Sequence, residues 1–264
     1  MILIHAPATT LFVYMIPNTL HYVHLSSNGR EWKLHHHLSV KSAKIRSGVD
    51  KIFMWADQEP HGEWWSETKD LVELVLVEPP TEIFGKPITQ PAHKSDVIRL
   101  QVLIENGGIY VDTDTIFVKP FTGILDNEFV MGQQGVNGSE GLCPAVILSQ
   151  QNSIFGMHWL AGFEESFQGG PPGSSTWCTH SVYYPQWLAQ QMPNHITVLD
   201  CEKFFWPLYH ADHMKSLFEE THRFPNALSH HLWESSGTEY LSNLTIEDIN
   251  KKDTTFNLMV RDLL

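Results

Sequence analysis

The stretch SDVIRLQVLIENGGIYVDTDT, Ser95 to Thr115, constrains the fold more than any other part of the 264-residue chain. Val97, Ile98, Leu100, Val102, Leu103 and Ile104 form one broad apolar surface at helical spacing, which predicts a helix from Ser95 to Asn106 with Ser95 as its N-cap. Gly107 and Gly108 end it, because a C-terminal cap favours residues that tolerate positive φ. Ile109-Tyr110-Val111 then reads as a short buried strand. Asp112 and Asp114 follow two apart, and on a strand that spacing puts both carboxylates on one face. Facing carboxylates repel unless a cation sits between them. Mg²⁺ and Mn²⁺ take oxygen ligands, commonly one or two carboxylates plus substrate phosphates. Open α/β sheets bind ligands beyond the carboxyl ends of their strands. The pair therefore has two readings: a divalent-metal site completed by a phosphorylated ligand, or a solvated acidic turn.

Asp96 and Arg99 are three apart and share a helix face. Spacing allows a surface ion pair, worth roughly 0–1 kcal/mol. It equally allows a nucleotide clamp, with Arg99 reaching a diphosphate and Asp96 accepting from ribose hydroxyls or holding Arg99 in place.

Upstream, strand patterns alternate with helical ones. Strands are predicted at Thr19–Leu25, Lys51–Asp57 and Glu73–Glu78, and helices at His35–Arg46 (Leu38, Val40, Ala43 and Ile45 inward) and Glu63–Val72. That alternation specifies a parallel α/β sheet. His35-His36-His37 reads as a solvated helix start, and Trp64 and Trp65 as packing residues. Gly85–Ala92 is a loop. Downstream, Ile116–Pro120 is an edge strand or turn, since Pro120 cannot sit in a central ladder. Phe129–Met131, Ala145–Leu148 and Ile196–Leu199 are strands, and Gly132–Gly141 a flexible loop beside the site. Ile154–Phe167 and Thr176–Gln191 read as helices flanking the loop Gly169–Ser175. A helix packs on the sheet within Ile246–Leu264.

Composition narrows the class. A chain with 42% hydrophobic and 11% aromatic residues can bury one full α/β core. Thirty acidic against 17 basic residues give −13, which excludes a nucleic-acid binder, since phosphate contacts need clustered Lys and Arg. Cys143, Cys178 and Cys201 form no CxxC pair, so structural zinc is not expected; one disulfide or none remains open. Asn137-Gly-Ser139 and Asn243-Leu-Thr245 are sequons, relevant only in a secretory compartment. Residues 1–15 are apolar but interrupted by His5 and Pro7, and fall short of the ~20 residues a membrane span needs. They read as a lead-in segment or the remnant of a longer start, with one domain over 16–264 and no membrane span in this chain.

Ser95-Asp96-x-x-Arg99 followed by Gly107-Gly108-Ile-Tyr110-x-Asp112-x-Asp114 resembles the signature of retaining glycosyltransferases with a DXD motif. These include yeast outer-chain mannosyltransferases, α-1,4-galactosyl- and N-acetylglucosaminyltransferases, and the catalytic domains of clostridial glucosylating toxins. The resemblance implies a single GT-A-like, Rossmann-related α/β domain with a mainly parallel central sheet flanked by helices. It implies transfer of a hexosyl unit from a UDP- or GDP-hexose to a carbohydrate, glycolipid or protein, with retention and with Mn²⁺ (or Mg²⁺). Asp112 and Asp114 would hold the metal, joined by His231 from a late His-x-Trp segment. Asp112, Asp114 and Arg99 would be the catalytic set, and Asp96, Arg99, Tyr110, Asp112 and His24 would bind the nucleotide sugar, His24 standing where relatives often carry Trp. Trp177, Thr179 and His180 are candidate acceptor or donor contacts, and the aromatic run Phe204–Tyr209 is either core or a sugar platform. Such relatives work in the Golgi or secretory-pathway lumen; a chain complete as given would be cytoplasmic. Two other classes compete. A haloacid-dehalogenase-type phosphohydrolase also carries Asp-x-Asp after an apolar strand, but expects Thr where Ile116 stands. A non-catalytic nucleotide-sugar or metal-binding module would keep the site without turnover.

Overall fold

The computed structural model describes residues 15–25 and 29–264, so most of the lead-in segment lies outside the described residues. Eleven strands appear: β1 (Thr19–His24), β2 (Lys51–Ala56), β3 (Glu73–Leu76), β4 (Glu82–Ile83), β5 (Lys86–Pro87), β6 (Gly108–Val111), β7 (Thr115–Phe117), β8 (Phe129–Gln134), β9 (Gly141–Ser149), β10 (Thr197–Leu199) and β11 (Ser229–His231). Seven of them form the central sheet, in the order β10-β8-β9-β6-β1-β2-β3. Four of its six pairings are parallel, and β9 runs antiparallel between β6 and β8. From β1 the chain builds outward through β2 to β3, then returns to place β6 on the other side of β1. The order reverses between β1 and β6, and open α/β sheets form their ligand crevice at such a switch point.

Helices α1 (Leu34–Ser42), α2 (Glu63–Thr68) and α3 (Pro91–Asn106) precede β6. The sheet residues alternate between its two faces, as a period of two requires. Leu20, Tyr22, Ile109, Val111, Val146 and Leu148 pack with Val40 and Ala43 beneath α1. Val23, Tyr110, Met131 and Ile147 pack with Val97, Leu100 and Leu103 of α3 on the opposite face. The second face is completed by α4 (Ile154–Ala161), α5 (Phe163–Ser166) and α6 (Tyr184–Gln191). A third apolar cluster joins Leu34 and Leu38 of α1 and Ile116 of β7 to α7 (Ala211–Phe218), α8 (Thr238–Leu241), α9 (Ile246–Lys251) and α10 (Thr255–Val260).

Several sequence expectations change. The central helix starts at Pro91, not Ser95, because Pro at the first helical position presets φ and gives up an N–H that would be unpaired anyway. His35, His36 and His37 are buried, not solvated, since α1 enters directly beneath the site. Ile45 is exposed, because a widened π-type turn over Ala43–Ser47 instead sends Arg46 to the Phe117 carbonyl. Gly132–Gly141 is largely a β8–β9 hairpin rather than a long loop, with a tight turn over Val136–Gly138. Gly85–Ala92 holds the second strand of a small hairpin and the first turn of α3. The helix expected over 154–167 breaks at Gly162, where a Cβ would lie 2.1 Å from the Tyr184 ring. The helix expected from Thr176 begins instead with a π-type turn at Thr179. All three cysteines are free thiols.

Candidate active site

The Asp pair reaches its place by backbone dictation. Gly107 and Gly108 adopt φ of +66° and +104°, and a Cβ on Gly108 would sit 2.6 Å from the Thr19 carbonyl oxygen. Only glycine lets β6 lie this close to β1. The strand stops after Val111, where the Asp112 N–H donates to Ala145 O (2.9 Å) and the Thr115 N–H turns back to Asp112 O (3.1 Å). The carboxylates therefore converge across a turn between β6 and β7 rather than along one strand face. β11 pairs antiparallel with β7, and the register His231↔Thr115 delivers His231 from more than a hundred residues away. Its Nε2 lies 3.0 Å from Asp114 Oδ1 and 3.8 Å from Asp112 Oδ2. Burial lowers the His231 pKa, but Asp114 and then Asp112 outweigh it and leave it raised.

Two oxygens and one imidazole nitrogen within 4.8 Å of one another suit a hard or borderline divalent cation. Two other clusters among the described residues are also close enough to chelate, but neither borders the cavity with both Asp112 and Asp114, and both have partners within the fold. In His35–His36–Glu234, the Lys33 N–H donates to His36 Nδ1 (3.0 Å). Nε2 must then carry the ring proton, which points at Glu234 Oε2 (3.3 Å), so it is not a free ligand. In His93–Asp96–His180, the Arg99 guanidinium already stands 3.2 Å from Asp96 Oδ1.

Arg99 is buried at the centre of the site. It pairs with Asp96, lies 3.4 Å from Asp112 Oδ1, donates to Pro144 O (2.8 Å), and sits 4.5 Å over the Tyr110 ring. Burial would lower its pKa, but Tyr110 and the two carboxylates outweigh that and keep it charged. Tyr110 donates its hydroxyl proton to Asp112 Oδ1 (2.5 Å). Asp96 also accepts from the buried His180 Nε2 (2.9 Å). Burial raises the Asp96 pKa, but Arg99 and His180 more than reverse it, so the carboxylate stays ionised.

These groups border one cavity of about 310 Å³ at the ends of β1 and β6. His24, Arg99, Tyr110, Asp112, Asp114 and His231 line it; Asp96, Trp177, Thr179 and His180 do not. Of the aromatic run, Phe204 and Phe205 are core and Tyr209 reaches the wall. Sequence reasoning missed Arg30 and Glu234, and named Trp233 only within the His-x-Trp match, without a place on the cavity wall. Glu234 is the most connected of them: its N–H donates to Asp114 Oδ2 (2.8 Å), and its carboxylate meets Arg30, His35 and His36. Burial raises the Glu234 pKa, but these partners hold it well below the usual carboxylate range. Trp233 takes φ +53°, a strained position for a bulky residue, where the chain turns to form this wall.

A family profile described as the glycosyltransferase sugar-binding region containing a DXD motif matches residues 34–131. Glucan organizing enzyme 1 of Cryptococcus neoformans var. grubii serotype A is 34% identical over 266 residues, covering 95% of this chain and 71% of that protein. The glycosyltransferase GlyE of Streptococcus pneumoniae TIGR4 superposes with a TM-score of 0.50 at 12% identity, over 94% of this chain and 60% of that one. At that identity the likeness concerns the fold, which is GT-A-like. PaToxG glycosyltransferase gives a TM-score of 0.49 at 16% identity, over 94% of this chain and 88% of that one.

Proposed function

The chain belongs to the glycosyltransferases whose sugar-binding region contains a DXD motif, and from that premise we propose that residues 16–264 act as one domain that moves a hexosyl unit from a UDP- or GDP-hexose to an acceptor, with retention and with Mn²⁺ or Mg²⁺. The observation that carries this reading is the convergence of Asp112, Asp114 and His231 on the floor of the cavity beside a buried, charged Arg99. Those three residues would hold the cation, which supplies positive charge to the diphosphate as it departs. Arg99 adds fixed positive charge on the same side, in a site where it needs no reorganisation. Asp96, tied to His180, holds Arg99 in position. Tyr110 orients Asp112 through its hydroxyl, and His24 lines the end of the cavity nearest β1.

Retention rests on the resemblance to retaining DXD glycosyltransferases, and the cavity wall bears on the route it would take. Its carboxylates are Asp112, Asp114 and Glu234, and each is already committed: the first two to the cation site, the third to Arg30, His35 and His36. No carboxylate among the lining residues is left to attack the sugar. The acceptor hydroxyl would then approach the face the diphosphate leaves, and a departing phosphate oxygen would take its proton. The phosphohydrolase reading loses ground here, because Ile116, at the position where that class needs a hydroxyl, is wholly buried in β7. No helix among the described residues is long and apolar enough to cross a membrane; action in the secretory lumen rests on the likeness to a glucan organizing enzyme.

The test is nucleoside diphosphate release from a panel of UDP- and GDP-hexoses with Mn²⁺. Release from one donor should fall on the order of 100-fold in Asp114→Ala. Silence across the panel together with no metal-dependent nucleotide binding would overturn the reading.

A further inference from the structure

The cavity extends to both sides of the Asp112–Asp114 turn. β6, which delivers the pair, lies between β1 on one side and β9 and β8 on the other. His24 and Arg30 line the β1 side. Tyr209 lines the opposite wall, and beyond it stand His210 and Glu140, the residue just before β9. The donor site proposed above uses none of these three. The Tyr209 ring lies 4.4 Å from the His210 ring and meets Trp233 edge-on at 5.3 Å. The Trp233 N–H is spent on Pro207 O (3.0 Å), so this indole offers a surface rather than a donor. His210 Nε2 donates to Glu140 Oε1 (3.0 Å). Burial and then hydrogen bonding to Glu140 push the Tyr209 hydroxyl pKa up to about 12, and Tyr209, His210 and Gln134 together outweigh burial at Glu140 and hold its carboxyl below the usual range.

An aromatic face beside a carboxylate matches a pyranose, which presents an apolar C–H face and a rim of hydroxyl donors. The same carboxylate disfavours phosphates and acidic sugars by like-charge repulsion. Resting on the glycosyl-transfer reading above, we propose that Tyr209, His210 and Glu140 form the acceptor subsite, and that the acceptor is a neutral hexopyranoside stacked on Tyr209 with hydroxyls on Glu140 and His210.

The experiment uses the full chain with Mn²⁺ and the donor it hydrolyses fastest. Nucleoside diphosphate release is followed in water alone and with methyl hexopyranosides, neutral gluco-, manno- and galacto-oligosaccharides, and a methyl glucuronide. At least one neutral saccharide should raise release saturably. Tyr209→Ala should raise its KM about tenfold while donor hydrolysis in water stays within about twofold, and Tyr209→Phe should restore most of the affinity. Glu140→Gln should raise the KM for the neutral saccharide and relax the exclusion of the glucuronide. The proposal is overturned if no neutral saccharide affects a wild type that hydrolyses donor, if the glucuronide serves best, or if Tyr209→Ala impairs hydrolysis in water as much as transfer. If no donor is hydrolysed at all, the donor reading fails on its own. Saccharide binding is then read directly from tryptophan fluorescence in wild type and Tyr209→Ala, and equal or absent binding sinks the subsite.

Discussion

Asp96→Asn separates an anchor from a ligand contact. Asp96 is buried, and its two oxygens face Arg99 (3.2 Å) and His180 (2.9 Å). Removing one partner of a buried charge pair costs about 3–5 kcal/mol, because the remaining charge stays buried without compensation. Asn keeps one oxygen for His180, and Arg99 keeps Asp112 at 3.4 Å, so the low end applies, about 3 kcal/mol. For a chain of this size that is a fall in Tm of about 6–9 °C. Asp112→Asn is the control. Its side chain is partly exposed, it gives up a contact to Arg99, and it also relieves repulsion with Asp114, so its stability should stay within about 1 kcal/mol while donor turnover collapses. Thermal and urea unfolding measure the first quantity, and Mn²⁺-dependent nucleoside diphosphate release the second. If Asp96→Asn kept the wild-type Tm yet lost nucleotide affinity, Asp96 would be touching the donor directly, and the anchoring role would be wrong.

Other consequences can be checked on the same material. His21 Nδ1 accepts from Trp55 Nε1 (3.1 Å), and burial holds its pKa down at about 4 against 6.5 unfolded. The unfolded chain therefore binds a proton that the folded chain refuses between those values, so stability should be flat above pH 7 and fall as pH drops from 6.5 toward 4, by roughly 3 kcal/mol from this residue alone. A urea midpoint unchanged from pH 7 to pH 5 would contradict this. Gly108→Ala forces a side chain into positive φ and against Thr19 O, and should abolish soluble, folded protein or cost more than about 3 kcal/mol by urea unfolding. Glu234→Gln leaves the N–H to Asp114 in place but unties Arg30, His35 and His36; it should raise the donor KM more than it lowers kcat, and equal loss in both would place Glu234 in the chemistry instead.

The sheet was legible in the chain because its strands announce themselves twice, by β-branched and aromatic content and by their bounding turns. Ile109–Val111 and Ala145–Leu148 are buried on both faces, so no partner had to be known to recognise them. Helix starts were less legible. Ser95 has the side chain of a cap, yet Pro91 sets the start, because a preset φ four residues upstream is compatible with helix through Ser95 and nothing local stops it. The glycines of the Gly132–Gly141 segment suggest a flexible loop, but Gly135, Gly138 and Gly141 each take positive φ within the β8–β9 hairpin. Glycine marks unusual backbone geometry, and only tertiary pairing tells a tight hairpin from a loose loop.

The site divides the same way. Asp112, Asp114 and Arg99 come from one contiguous stretch, so the motif named them together, although the two carboxylates meet across the β6–β7 turn and not by the period of a strand. His231 required β11 to pair with β7, a contact across more than a hundred residues that spacing alone cannot supply. His35-His36-His37 shows why. A run of three histidines looks solvated when its polarity is weighed without partners, and the partner that reverses the reading, Glu234, lies about two hundred residues away. Once that carboxylate is in place, His36 is fixed as a donor by the Lys33 N–H on its other nitrogen. The pair then ties α1 to the strand-end loop that also feeds an N–H to Asp114. The buried histidines thus hold the floor of the site from below. For that reason a His36→Ala variant should loosen Asp114 and raise the metal concentration needed for half-maximal activity, while His36→Asn, which can still donate to Glu234, should recover part of it.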